Sequence, residues 1–121
     1  MKLLMAPLAV LMLSPAAQAQ ETAATPQLTA QQSATLRCSA AFAIVAQGQS
    51  EGVEAALAYP PMNKRGREFF VRSTARLMDE LSLDRTALQE LAAKEARDLQ
   101  NEGAVDEVMP ACLMMLDASG L

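Results

Sequence analysis

The chain has 121 residues, 10 of them basic and 14 acidic, for a formal charge of −4, and it contains no histidine. Without imidazole it lacks the commonest general base and the commonest metal ligand, and its mild acidity argues against nucleic acid as a partner. A chain of this size makes one domain, able to bury roughly two-thirds of its unfolded surface.

The first residues have the layout of a cleavable export signal. Lys2 gives a minimal positive start, Leu3 to Leu13 an apolar run, and Ala17-Gln18-Ala19 small residues at −3 and −1. The run is too short to span ~30 Å of hydrocarbon, so cleavage after Ala19 is expected rather than retention as an anchor. No cysteine follows the cut to carry a lipid. Removing residues 1–19 leaves 102 residues, with 9 basic against 14 acidic and a formal charge of −5. No second apolar run of membrane length follows. The expected product is a soluble periplasmic or secreted protein.

Residues 20–28 lack periodicity, contain Pro26, and read as a flexible leader ahead of a single helical domain over 29–121. Thr29 is placed to cap a first helix running to about Gln47, with Gly48 at the position after its end. Ala34, Cys38, Ala41, Phe42 and Val45 keep helical spacing, and Leu36, Ala40, Ala43 and Ile44 widen that face. This helix is expected to be central. Gln49 to Gly52 form a turn, and Ser50 is placed to cap a short helix from Val53 to Ala58. Tyr59-Pro60-Pro61 ends it, because the residue before a proline is pushed out of the α region.

A third helix is expected from Met62 or Asn63 to Leu81. Phe70, Leu77, Met78 and Leu81 form its stripe, with Thr74 completing the spacing and Phe69 alongside. Asp84 caps a fourth helix, Arg85 to Glu102, which Gly103 ends. Leu88, Leu91, Ala92, Ala96 and Leu99 face inward, while Glu90 and Lys94 make an i,i+4 pair outside.

Asp106 is placed to cap the last helix, with Pro110 then at the end of its first turn, where the missing N–H costs least. Val105, Val108, Met109, Cys112 and Leu116 keep helical spacing. The run Met109 to Leu116 carries no charge and is expected in the middle of the fold. Gly120 suits a left-handed position after the helix, and Leu121 can fold back. Nothing reads as a strand. The expected fold is all-α: a small bundle of four main helices plus one short one. Short links between helices three, four and five favour antiparallel neighbours.

Export gives the two cysteines a meaning. Outside the cytoplasm, Cys38 and Cys112 are expected to join the first and last helices by a disulfide. Two free buried thiols and an intermolecular bridge are the alternatives. A Cys38–Cys112 bond closes a loop of 75 residues, for which the chain-entropy argument gives roughly 4–5 kcal/mol, commonly less in practice.

Groups able to do chemistry are few. There is no glycine-rich phosphate loop, no paired-cysteine metal spacing and no haem attachment motif. No pair of carboxylates stands out for acid–base work. The chain is read as non-enzymatic, without cofactor or metal. Met109, Met114 and Met115 bracket Cys112 and offer thioethers of the kind that bind Cu(I). Core filling is the favoured reading of that segment.

The charge pattern says more. Lys64, Arg65, Arg67, Arg72 and Arg76 place five of the nine mature basic residues within 13 positions, interrupted by Phe69 and Phe70. Arg65, Arg72 and Arg76 share one helical side, while Lys64 and Arg67 lie nearer Phe70 and Ser73. One reading is a docking surface for an anionic envelope partner, a lipid phosphate or an acidic protein face. The other is a solvated face pairing with the acidic C-terminal half.

The C-terminal run Met109-Pro-Ala-Cys-Leu-Met-Met-Leu-Asp-Ala-Ser-Gly-Leu121, the Ala58-Tyr-Pro-Pro61 stretch and the first-helix cysteine carry a resemblance. With them the chain resembles small, uncharacterised, exported bacterial all-helical proteins with one disulfide, a likeness that implies no activity. In architecture alone it is similar to the acid-stress chaperones of the bacterial periplasm. The expected function is that of a non-enzymatic interaction or chaperone-like envelope protein. The alternative is a small-ligand or lipid carrier using an inter-helix cavity or the basic Lys64–Arg76 surface. Intact mass of the exported protein is expected to place its N-terminus at Gln20, and a mass that includes Met1 overturns the signal assignment.

Overall fold

Past Arg37 the first helix has little polar surface to give to water, so other helices have to cover it. In a computed structural model describing residues 25–121, that helix, α1, runs over Ala30–Ser50. It contacts each of the other four: α2 (Glu54–Leu57), α3 (Arg65–Leu81), α4 (Arg85–Glu102) and α5 (Val105–Ala118). No strand occurs among the described residues. The expected signal, residues 1–19, and the leader as far as residue 24 lie outside them.

α1 starts on a capping box. The Gln32 N–H donates to Thr29 Oγ1 at 3.1 Å, and the Thr29 N–H donates to Gln32 Oε1 at 3.0 Å. The helix passes through the stop expected at Gly48 and ends at Ser50. Gly48 instead gives α2 room to approach: a Cβ there would lie 2.7 Å from Ala56 Cβ. The turn falls on Gly52, at φ +73°. Ser50 does not cap α2; its hydroxyl donates to the Gln47 carbonyl at 2.7 Å, and Val53 occupies the cap position without a side-chain bond.

A side chain fastens the segment that follows. Gln49 Nε2 donates to the carbonyls of Ala56 (3.0 Å), Tyr59 (3.2 Å) and Pro60 (2.9 Å). Its Oε1 accepts the Met62 N–H at 2.9 Å. Two prolines deprive this link of N–H donors, so the amide of α1 takes the place of backbone pairing.

Met62 falls short of the helix. It is buried before α3 begins, and Gly66 leaves space for it, since a Cβ there would lie 2.8 Å from the Met62 sulfur. Within α3 it is Phe69 that is buried, edge-on to Phe42 at 5.2 Å, and Phe70 that sits half-buried beside it. Thr74 is buried and donates to the Phe70 carbonyl at 2.7 Å. Ser82, at φ 52°, closes α3, and Asp84 Oδ1 caps α4 by accepting the Ala87 N–H at 2.8 Å. On the outer face Lys94 pairs with Asp98 at 2.7 Å rather than with Glu90.

α5 departs most from expectation. Asp106 lies inside its first turn, and Ala104, with no side chain to donate or accept, holds the cap position. Pro110 therefore falls in the second turn and leaves the Asp106 carbonyl without its usual i+4 donor. Nor is the uncharged run buried all round. Met109, Cys112 and Leu116 are buried, but Pro110 and Ala111 are exposed and Met114 is 73% exposed. The stripe is narrow because α5 packs on α1 and α3 and scarcely touches α4. The antiparallel packing expected of α4 on α5 does not develop along their lengths, although Leu99 of α4 and Met109 of α5 belong to the same core. At the far end Gly120 does adopt φ +78°, and Leu121 returns to the core.

Two apolar clusters result. The larger joins Phe42, Val45, Met62, Phe69, Leu99, Met109 and Leu116 around the cysteines. The smaller joins Leu36, Leu77 and Leu88, with Leu28 of the expected leader packed on it. Cys38 and Cys112 are disulfide-bonded, with Cα atoms 5.1 Å apart and a sequence separation of 74; no cysteine among the described residues is free.

Both fastenings are testable. Removing the disulfide by Cys38→Ala with Cys112→Ala is expected to cost about 2–4 kcal/mol, lowering the melting temperature by roughly 10–25 °C in a calorimetric scan. Gln49→Ala strands the Met62 N–H and the carbonyls of Tyr59 and Pro60, while the Ala56 carbonyl keeps the Tyr59 N–H, and is expected to cost about 1–3 kcal/mol in urea denaturation; an unaltered midpoint contradicts the clamp.

Candidate functional site

Two recesses flank α1, and their linings differ in charge. The first lies between the C-terminal half of α1, α2, the later part of α4 and the start of α5. It has a volume of about 690 Å³, within the ~300–1,000 Å³ common for binding sites. Small apolar side chains line it, including Ala43, Ile44, Val53, Ala56 and Ala96, and its two charged lining residues, Glu51 and Asp106, are both acidic. Val53, the cap residue of α2, adds apolar surface to it at 46% exposure, and Leu57 at the end of α2 is 58% exposed. α2 is short, Gly48 lets it lie close to α1, and Ala56 is its one buried residue.

Tyr59 closes one end of this groove. Its hydroxyl donates to the Asp106 carboxylate, tying the Tyr-Pro-Pro link to the first turn of α5. That hydrogen bond, aided by burial and by the negative charge of Asp106, raises the phenol above its ordinary value of 10.

The second recess, about 390 Å³, lies between the N-terminal half of α1, α3 and the end of α5. Arg72, Ser73 and Arg76 of α3 line it, with Phe69, Leu77 and Met115 among its apolar members. Glu80 is its one acidic member and accepts Gln32 Nε2 at 2.9 Å.

All five residues of the expected basic surface, Lys64, Arg65, Arg67, Arg72 and Arg76, are exposed, but they do not share one face. Arg65 is occupied in holding the C-terminus: Nε donates to the Leu121 carbonyl at 2.7 Å and Nη2 to Asp117 at 2.9 Å. Arg72 pairs through Nε with Glu68 at 2.8 Å, one turn before it. Arg67 lines a different recess, against Phe42, Ala46 and Phe70. Lys64, Arg67 and Arg76 form no ion pair among the described residues. The three methionines near Cys112 do not converge, since Met109 is sealed in the core while Met114 is exposed. Among the described residues no three cysteine, aspartate or glutamate side chains gather closely enough to hold a metal ion. No described helix is long and apolar enough to cross a membrane.

Sequence reading missed the first recess. Its one visible signal was alanine at 43 and 96, small residues on helix faces that leave space when neither helix supplies a larger side chain.

The Tyr59–Asp106 bond makes a pH prediction. The folded phenol titrates above its unfolded value, so the bond contributes in full below pH 10 and is lost as pH rises through the folded value. Tyr59→Phe is expected to lower the melting temperature at pH 7–9, with the gap from the parent narrowing as pH rises past the unfolded phenol's value of 10. A gap that stays constant to pH 12 contradicts the assignment.

Comparison with known families and proteins adds no relative: no family model, no curated protein and no solved structure matches the chain.

Proposed function

We propose that this is an exported, non-enzymatic interaction protein, a small helical bundle that shelters apolar, positively flanked segments of partner or client proteins in the groove between α1, α2 and α4. The observation that carries the reading is Val53, a large apolar side chain that lines an apolar recess yet stays open to water, with Leu57 exposed one helical turn further on. Exposed apolar groups gathered at a recess and rimmed by polar ones mark interaction sites more than scattered ones do. The charged lining, Glu51 and Asp106, is acidic, which favours a segment carrying lysine or arginine. Export is supported by the signal-like layout of residues 1–19 and by a disulfide of the kind that persists in oxidising compartments such as the periplasm. The disulfide fastens α1 to α5, two of the elements that contribute to the groove lining.

The test is light scattering of a heat-unfolded basic client protein. At equal molar ratio the protein is expected to suppress aggregation, and Val53→Ser with Leu57→Ser is expected to abolish most of that suppression without lowering the melting temperature. Suppression should also weaken as salt screens the acidic rim. No suppression by the parent protein, or full suppression by the double variant, rejects this reading.

A further inference from the structure

We propose that the recess between α1, α3 and α5 is a separate ligand site, taking a single-chain fatty carboxylate with its head on Arg72 and Arg76. The two arginines lie one turn apart on α3, so their guanidinium groups reach the same end of the recess. Neither is saturated. Arg76 has no ion-pair partner among the described residues. Arg72 gives only its Nε to Glu68, and its two terminal nitrogens meet no acceptor among the described residues. A planar fork of N–H donors matches a carboxylate, which accepts two parallel hydrogen bonds from it. Ser73 and Thr35 add hydroxyls to the lining.

The rest of the recess suits a chain rather than a bare anion. Met115, Ala118 and Leu121 contribute apolar surface along the end of α5, over a floor formed by the buried Phe69 and Leu77. Glu80, the only acid in the lining, keeps its charge while accepting from Gln32, so Arg72 and Arg76 leave the lining one positive charge in excess. About 390 Å³ is near the lower end for small-molecule sites, enough for one medium chain and not for a two-chain lipid. A flat bilayer surface is the poorer occupant. Membrane-surface helices turn their apolar face outward, whereas α3 commits Phe69 and Leu77 to the core and leaves Val71 as its one large apolar side chain exposed to that degree.

Calorimetric titration of the whole protein with decanoate below its micelle-forming concentration tests the site. One decanoate per chain is expected to bind, with decanol and acetate each weaker by roughly tenfold or more, since one lacks the charge and the other the chain. Arg72→Gln with Arg76→Gln should weaken decanoate by about the same factor while the thermal melt stays in place. Val53→Ser with Leu57→Ser should bind decanoate like the parent protein, which separates this site from the groove on the other side of α1. The proposal fails if decanol binds as tightly as decanoate, or if the double arginine variant binds unchanged. It also fails if decanoate does not bind while phosphatidylglycerol vesicles do so through the same arginines.

Discussion

A helix whose sides are nearly all apolar has to be covered on nearly all sides, and α1 sets that demand for the whole domain. Leu36, Cys38, Ala40, Ala41, Phe42 and Val45 are all buried, along with Ser39, which spends its hydroxyl on the Thr35 carbonyl and so adds no unpaired polar atom. Four further helices are arranged to meet the demand, and none of them has a comparable face. α3 and α4 are amphipathic and cover α1 with one stripe each, α5 with a narrower one, and α2 with little beyond Ala56. Because the coverings are narrow, they leave seams, among them the acid-lined and the arginine-lined recess.

The seams carry opposite charge for a reason that lies in where each sign falls along the chain. α3 brings the arginines to one flank of α1, while Glu51, after the end of α1, and Asp106, in the first turn of α5, meet on the other. An acid in the first turn of α5 also faces the positive end of that helix dipole. A molecule of net charge −4 thus presents one flank suited to cations and another suited to anions.

Much of the fold was legible in the sequence, and the failures share a cause. Element types, the Thr29 and Asp84 caps and the left-handed Gly103 follow from local rules that act within a few residues, and the cysteine pair from there being only two cysteines in a chain expected to be exported. What escaped was set by contacts between distant segments. Gly48 looked like a stop because glycine commonly ends helices; its actual use depends on Ala56, eight residues on. Phe69 and Phe70 compete for one inward position, and Phe42 on another helix decides between them. Met114 sits in an uncharged run yet faces water, since α4 does not pack where α5 would need it. The basic cluster was visible as composition, but its division among recesses was not, because helix rotation and the grip of Arg65 on the C-terminus are tertiary facts.

Gln49 gives the domain a position of unusual chemical strictness. Apolar core sites such as Leu36 or Leu99 accept other side chains of similar volume at modest loss. At Gln49 three carbonyls converge on a nitrogen while a backbone N–H meets the oxygen beside it. Lysine keeps the donors and loses the acceptor; methionine keeps the length and loses both. Deamidation is harsher still, because it replaces the nitrogen by a charged oxygen aimed at three others. Slow amide hydrolysis, which leaves most of a protein's surface indifferent, would here act as a clock on the link between α2 and α3.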